Sequence, residues 1–315
     1  MTRVAAVDLG TNSTRLLVAD VENGLVHELL RVTRITRLGE GVDRRRRLLP
    51  LPIARVRNTL SEYRRTLEEL GAERTLAIAT SAVRDAENGE AFLGEVELSY
   101  GFATQLLSGD EEARLTRRGV GAGRELPVGT LIVDIGGGST ELILDDLHAS
   151  LDIGSVRLTE RHLRSDPPTA EELADCACAV CGVLPELEPA AAVGVAGTIT
   201  TLAALDLRLE AYDLQRIHGH HLSHATAREL SALLAGLKVK ERCALAGMDP
   251  GRAPVIVGGA VILSQILERY GLEGIEVSER DILDGAALAA AELPESDGRT
   301  VPPAPSPAAE SMSGA

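Results

Sequence analysis

Tryptophan is absent from this 315-residue chain, and aromatic residues make up only 2% of it. Any core must therefore be aliphatic, which a hydrophobic content of 44% can supply. No run of about 18 apolar residues occurs, so no membrane-spanning helix and no membrane partner are expected. The first residues enter a strand-like segment without a charged-then-apolar leader, and a cytoplasmic location is the expectation. Cysteine is scarce as well. Cys176, Cys178, Cys181 and Cys243 are too few and too irregularly spaced for a secreted disulfide framework. On a helix Cys178 and Cys181 share a face, whereas Cys176 lies about 200° round from Cys178. The three thiols then do not converge on a metal, and buried or half-buried free thiols are expected. Positive charge is in deficit, with 32 Lys+Arg against 47 Asp+Glu and a net charge of −15. Residues 1–124 hold 19 basic and 18 acidic side chains, and residues 125–315 hold 13 and 29. That balance argues against nucleic acid as the main partner, which calls for a basic face. A phosphorylated ligand held locally by arginines of the first part is not excluded.

What the chain has instead is glycine at one critical place. Residues 131–144 comprise two short apolar runs, each reading as a buried strand, around Gly136, Gly137 and Gly138. Three residues without Cβ are expected to allow positive φ and a close approach of a ligand to the N–H groups. Asp134 closes the first strand and Glu141 opens the second, an arrangement suited to a divalent metal bridging to bound phosphate. The pattern recurs without a gap at residues 4–18. Asp8 falls on Asp134, Gly10 on Gly136, Ser13 on Ser139 and Thr14 on Thr140. Arg15 falls on Glu141, which reverses the charge. Two copies of Asp-x-Gly-x-x-Ser-Thr indicate paired phosphate loops facing one another across a cleft between two domains.

Residues 3–9, 15–21 and 25–34 read as a three-stranded meander with Asn23-Gly24 as a turn. Residues 37–43 form a loop, and Arg44 to Arg47 are a basic run, either a solvated loop or an attraction for a polyanion at the cleft mouth. An amphipathic helix over 53–70 presents Ile53, Val56, Leu60, Tyr63, Leu67 and Leu70 on one face, and Gly71 ends it. A buried strand at 75–79 leads to Ser81 and Arg84, at the strand end where open α/β sheets bind ligands. Arg84 reads as a phosphate fork or as the partner of Asp85. The next segment, through Leu93, is helical. After a short strand at 104–107, Ser108 or Asp110 caps a helix carrying Glu111 and Glu112. A glutamate there can overhang the cleft and take a proton from water. Residues 119–129 are a glycine-rich linker, with the domain boundary near Gly123. The second half repeats the order: hairpin, strand near 149–154, helices from 156 to about 187, and a buried strand at 191–196. Residues 197–202 run from that strand into a helix. Three histidines, His218, His220 and His221, precede a helix over 223–237 and read as a structural or substrate-lining loop rather than a metal site. A helix from 255 to 270, a strand at 276–278 and an Ala-rich helix over 281–293, packed back on the first domain, follow. Residues 294–315 read as a disordered tail.

Taken together these stretches resemble the exopolyphosphatase and guanosine pentaphosphate phosphohydrolase family over about residues 3–293. The resemblance is carried by residues 8–13, 37–43, 80–86, 108–115, 134–141, 197–198, 216–219 and 257–260. It implies a two-domain α/β fold of the actin-like ATPase (ribonuclease H-like) type, with domains at 1–123 and 124–280. It also implies Mg²⁺-assisted hydrolysis of a terminal phosphoanhydride, with Mn²⁺ as a substitute. By the family pattern Glu112 is the catalytic base, and Asp134, Glu141 and Asp8 are tied to metal. Thr11, Asn12, Ser13, Arg15, Ser81, Arg84, Gly136, Gly137, Gly138 and Ser139 line the phosphate. The implied substrate is inorganic polyphosphate, in short chains because the long members' extra helical domain is lacking. Guanosine pentaphosphate is the alternative, and an alarmone-binding module with little turnover is a third. A homodimer is a family expectation. The basic run at 44–47 replaces a glycine-containing turn usual in relatives.

Overall fold

The structure is a computed structural model and describes residues 1–294. The expected tail therefore lies, beyond Pro294, outside the described residues. The first half contains β1 (Thr2–Leu9), β2 (Ser13–Glu22), β3 (Leu25–Ile35), α1 (Val42–Arg45), α2 (Pro50–Leu70), β4 (Arg74–Ala79), α3 (Ser81–Arg84), α4 (Gly89–Tyr100), β5 (Ala103–Leu106) and α5 (Gly109–Val120). The second half opens with β6 (Thr130–Ile135), β7 (Thr140–Leu144), β8 (Leu147–Leu151), α6 (Ser155–His162), α7 (Ala170–Cys181), β9 (Ala191–Val195) and α8 (Ala196–Asp206). It continues through α9 (Leu214–Ile217), β10 (His221–Ser223), α10 (His224–Gly236), α11 (Val239–Arg242), α12 (Ile256–Arg269), β11 (Gly274–Val277) and α13 (Ile282–Glu292).

Two sheets organise these elements. The first has the order β3-β2-β1-β4-β5, and the second β10-β11-β9-β6-β7-β8. In each, an antiparallel three-stranded meander is extended by strands parallel to its first member. One ordering thus occurs twice in one chain, with β10 added at an edge, as the duplicated loop motif requires. This doubled arrangement is the two-domain actin-like, ribonuclease H-like fold.

Alternation along β1 divides the core. Ala5, Val7 and Leu9 pack with Val56, Leu60 and Tyr63 of α2 and Phe92, Leu93 and Val96 of α4. Val4 and Ala6, one residue out of step, meet Ile282, Leu283, Ala286 and Ala287 of α13 on the opposite face. The second sheet behaves likewise. Leu131, Val133 and Ile135 face α8 and α12, while Ile132 and Ile143 face Ala113 and Val120 of α5. Helix α5 therefore lies between the second sheet and α13. The α5–α13 crossing is close enough to require glycine: a Cβ on Gly119 would strike the Asp281 carbonyl and lie 2.8 Å from the Gly285 nitrogen.

Several element limits differ from those read in the sequence. Helix α5 extends to Val120, so Gly119 is a helical residue chosen for the crossing rather than the start of a linker. Helix α2 starts at Pro50, whose fixed φ suits the first turn, and α4 runs on to Tyr100. Arg44 and Arg45 lie in the short helix α1, not in a loop. The three-residue edge strand β10 carries too little periodicity to be read. Of the clustered cysteines only Cys176 is buried, whereas Cys178 and Cys181 are exposed because α7 packs through one face. Among the described residues, no helix is long and apolar enough to cross a membrane.

Candidate active site

The two Asp-x-Gly-x-x-Ser-Thr turns follow β1 and β6 and fold alike. The N–H of Gly10 donates to the Ser13 carbonyl, and that of Gly136 to the Ser139 carbonyl, at 3.0 Å each. Their remaining carbonyls are engaged outward. Thr11 accepts from the Gly39 N–H, and Asn12 from the Thr36 and Arg37 N–H groups, at 2.8–3.1 Å. In the second turn Gly136 accepts from the Ser155 N–H, and Gly137 from the Val156 and Arg157 N–H groups. Gly138 accepts from Arg157 Nε at 2.6 Å. The N–H groups of Thr11, Asn12, Gly137 and Gly138 have no protein acceptor among the described residues. Carbonyls turned out and amides left free make an anion cradle.

None of the three glycines has a positive φ, contrary to the expectation from sequence. Their role is close approach. A Cβ on Gly137 would lie 2.8 Å from Thr11 Cβ, and one on Gly138 would strike Ser81 Oγ. Glycine is demanded because the second turn is pressed against the first turn and the start of α3. The first turn keeps Thr11 and Asn12 in the matching places because the backbone conformation itself is ordinary.

Between the turns lies a cavity of about 80 Å³, lined by Asp8, Thr11, Asn12, Ser13, Arg15, Ser81, Glu112, Asp134, Gly136, Gly137, Gly138, Ser139 and Glu141. The structure thus gathers every residue expected at the site except Arg84. The volume is far below the roughly 300–1,000 Å³ of a typical small-ligand pocket. It admits the end of a substrate, not a nucleotide. A second cavity of about 650 Å³ adjoins it, and Arg252 lines both.

The charge reversal between the two motif copies has a direct structural consequence. In β1–β2, Asp8 is opposite Arg15, and in β6–β7, Asp134 is opposite Glu141. Arg15 donates to Asp8 Oδ2 at 2.8 and 2.9 Å and also pairs with Asp281. Burial raises Asp281, but the Arg15 and Arg31 charges outweigh it and hold the group below its ordinary value. Asp8 stays raised by burial despite Arg15, and its Oδ1 has no partner. The second pair has no arginine between its carboxylates. Burial and then the Glu141 charge push Asp134 up to about 8, and burial and then the Glu112 charge push Glu141 up to about 8. Neutral hydroxyls serve them: Thr116 donates to Asp134 at 3.2 Å and Ser150 to Glu141 at 2.9 Å.

Glu112 is 5% exposed. The Ser108–Glu111 capping box starts α5 at Gly109, within a turn of Glu112, so its place on the cleft wall is fixed by a helix start. Burial pushes it up to about 7, opposed by the Arg84 guanidinium paired with Oε1. Arg84 also donates to the Leu107 carbonyl at 2.6 Å. Its partners are thus Glu112 and Leu107 rather than Asp85, which Arg157 takes instead.

Mg²⁺ fits this donor set. The candidate ligands Asp134, Glu141 and Asp8 are hard oxygen donors, Asp8 Oδ1 is buried without a partner, and burial raises all three carboxylates. Among the described residues no three such side chains converge into a complete metal cage. Mg²⁺ ordinarily takes only one or two carboxylates and completes its shell with water and phosphate oxygens. The histidine loop is engaged structurally: His220 bonds Asp206 at 2.8 Å, and His218 accepts from the Glu279 N–H.

Sequence reasoning missed Asp281, Arg157 and Arg252. Asp281 was legible only as the start of a helix, which it also caps. The Arg252 guanidinium lies against Gly197, where any Cβ would collide with it, and makes no hydrogen bond or ion pair with a side chain of the described residues. No local pattern marks these residues, because their partners are distant in the chain.

A profile of the Ppx/GppA phosphatase family matches residues 17–291. A Mycobacterium tuberculosis protein named exopolyphosphatase 2 is 44% identical over 92% of this chain and 99% of its own length. A crystal structure of an exopolyphosphatase-like protein superposes with a TM-score of 0.85 at 34% identity, covering 91% of this chain and 98% of that one. The Aquifex aeolicus family member gives 0.76 at 31% identity, covering 92% and 98%. Two facing Asp-x-Gly-x-x-Ser-Thr turns, a glutamate at a helix start between them and a profile match over most of the sequence lead to one assignment: the chain belongs to the Ppx/GppA phosphatase family.

Proposed function

We propose that this protein is an exopolyphosphatase, which hydrolyses the terminal phosphoanhydride of inorganic polyphosphate. The observation that carries this is the pair of turns with free N–H groups around a cavity of phosphoryl size, with Glu112 on its wall. The relatives named exopolyphosphatase support polyphosphate as the substrate class.

The free amides of both turns and the hydroxyls of Ser13, Ser81 and Ser139 hold the terminal phosphoryl oxygens. Arg252, not committed to any described carboxylate, is available to the next phosphate at the junction of the two cavities. Glu112 accepts the proton of a water that attacks the terminal phosphorus, and the bridging P–O bond breaks. The proton ends on Glu112 and then in solvent, and the shortened chain departs with its new terminal oxygen. Arg84 occupies Oε1 and so directs Oε2 to the water. Asp134, Glu141 and Asp8 would hold a Mg²⁺ ion, which would supply charge neutralisation for the phosphoryl oxygens.

The test is phosphate release with Mg²⁺ from short polyphosphate, long polyphosphate, guanosine pentaphosphate and ATP, alongside Glu112→Gln. Release from polyphosphate is expected from wild type, with a loss of about 10²–10⁴-fold in kcat for the variant. Release from guanosine pentaphosphate alone would move the substrate to the nucleotide, with the 650 Å³ cavity taking the nucleoside. No release from any of the four would leave a binding module.

A further inference from the structure

Arg157 is 6% exposed, yet it lies at the start of a surface helix and carries its charge to the junction of the two halves. Its guanidinium makes four hydrogen bonds, and Asp152 lies 4.0 Å from Nη2. Nε donates to the Gly138 carbonyl at 2.6 Å and Nη2 to Ser81 Oγ at 3.1 Å. Nη1 donates to Asp43 at 2.5 Å, and Nη2 also pairs with Asp85. Two contacts hold the back of the phosphate cavity, and two neutralise the buried charge. Neighbours on the same helical face reinforce the docking. Arg161 makes two bonds to Asp43 at 2.5 and 2.7 Å, and Glu160 accepts from the Gly41 N–H at 3.0 Å.

We propose that Arg157 is a positioning residue of the phosphate site, acting through Gly138 and Ser81. This rests on the hydrolase assignment above. The Gly138 carbonyl, if released, could rotate toward the cavity and set an acceptor against the substrate's oxygens. Arg157 holds it outward, which keeps the neighbouring N–H groups inward. Ser81 accepts from Arg157 behind the cavity wall, so its own hydrogen is free to point at an anion. Both contacts come from one planar fork with a fixed angle between its donors, which a lysine cannot reproduce. No single half of the molecule contains the arrangement, because Ser81 belongs to the first and Gly138 and Arg157 to the second.

The experiment compares steady-state polyphosphate hydrolysis by wild type, Arg157→Lys, Arg157→Met and Arg161→Met, with melting curves for each. Arg157→Lys and Arg157→Met are then repeated in a Ser81→Ala background. A positioning role gives a loss of roughly 10–100-fold in kcat/KM for the Arg157 variants. The loss shrinks at least about threefold when Ser81 is already alanine, since contacting residues are not additive. Arg161→Met, which removes only the flanking pair, stays within about twofold of wild type in kcat/KM. An equal Arg157 loss in both backgrounds, or an Arg161→Met loss as large as that of Arg157→Lys, would reduce the network to a clamp and overturn the proposal. If Arg157→Met does not fold, Arg157→Lys, which keeps the charge opposite Asp43 and Asp85, decides. Absence of release by wild type would strike the hydrolase assignment itself, and normal release by wild type and Arg157→Lys alike would strike this proposal alone.

Discussion

Asp134 and Glu141 are buried directly opposite one another on paired strands with no arginine between them. Their folded-state values lie above those of an unfolded chain, so the native state retains protons that the unfolded state releases. The contribution is fully present below the ordinary carboxylate range and is lost as pH rises through about 8. Metal-free protein should therefore lose stability from these groups between about pH 5 and pH 8. Asp134→Asn keeps an acceptor for Thr116 and removes the charge. We expect it to stabilise metal-free protein by about 0.5–2 kcal/mol at pH 8. At pH 5, where the carboxyl is already neutral, we expect little gain. Thermal melting at both values checks this, and equal effects at the two would refute it. Arg84 is the other informative residue. Without its charge, burial raises Glu112 unopposed, so Arg84→Met should shift the acidic limb of the kcat/KM profile to higher pH. Activity lost at pH 7 should partly return at pH 9.

Helix α5 carries Glu112 at one end and Gly119, two turns on, at its crossing with α13. Packing at the far end therefore sets the depth of the base. We expect Gly119→Ala to cost about 1–3 kcal/mol by overpacking against the Asp281 carbonyl. It should also lower kcat, because relief of the clash slides α5 along its axis. Denaturant unfolding and turnover measured on the same preparation test this. A stable variant with full kcat would show that the crossing does not position Glu112. The turns are the other instructive element. Their Asp-x-Gly-x-x-Ser-Thr pattern is local, so it and its duplication were plain in the sequence. The reason for the glycines was not, since it lies in the contacts of Gly137 with Thr11 and Gly138 with Ser81.

At the scale of the molecule the site belongs to both halves, and its stability should be linked to its ligand. If Mg²⁺ binds the folded carboxylates and not the unfolded chain, it should raise stability by about 2.7 kcal/mol at a hundredfold excess over Kd. The Mg²⁺-dependent rise in Tm should be larger at pH 8 than at pH 5 and should be largely absent from Glu141→Gln. A chelator should abolish phosphate release in parallel. A rise of equal size in that variant would place the metal elsewhere.

The amino-acid sequence by itself determined the two hairpins, the order of elements repeated behind each, and the reversal of Arg15 against Glu141. Strand pairing across a tight turn follows from residues a few places apart, and so does the contrast between a neutralised pair and a repelling one. Only the tertiary structure decided which cation meets which carboxylate. Arg15 reaches Asp281 across 266 residues of chain, Arg157 reaches Asp43 across 114, and Arg84 passes its neighbour Asp85 to pair with Glu112. Charges interact through space rather than along the chain. Packing two sheets around α5 and α13 sets those distances, and burial sets the strength of each pairing.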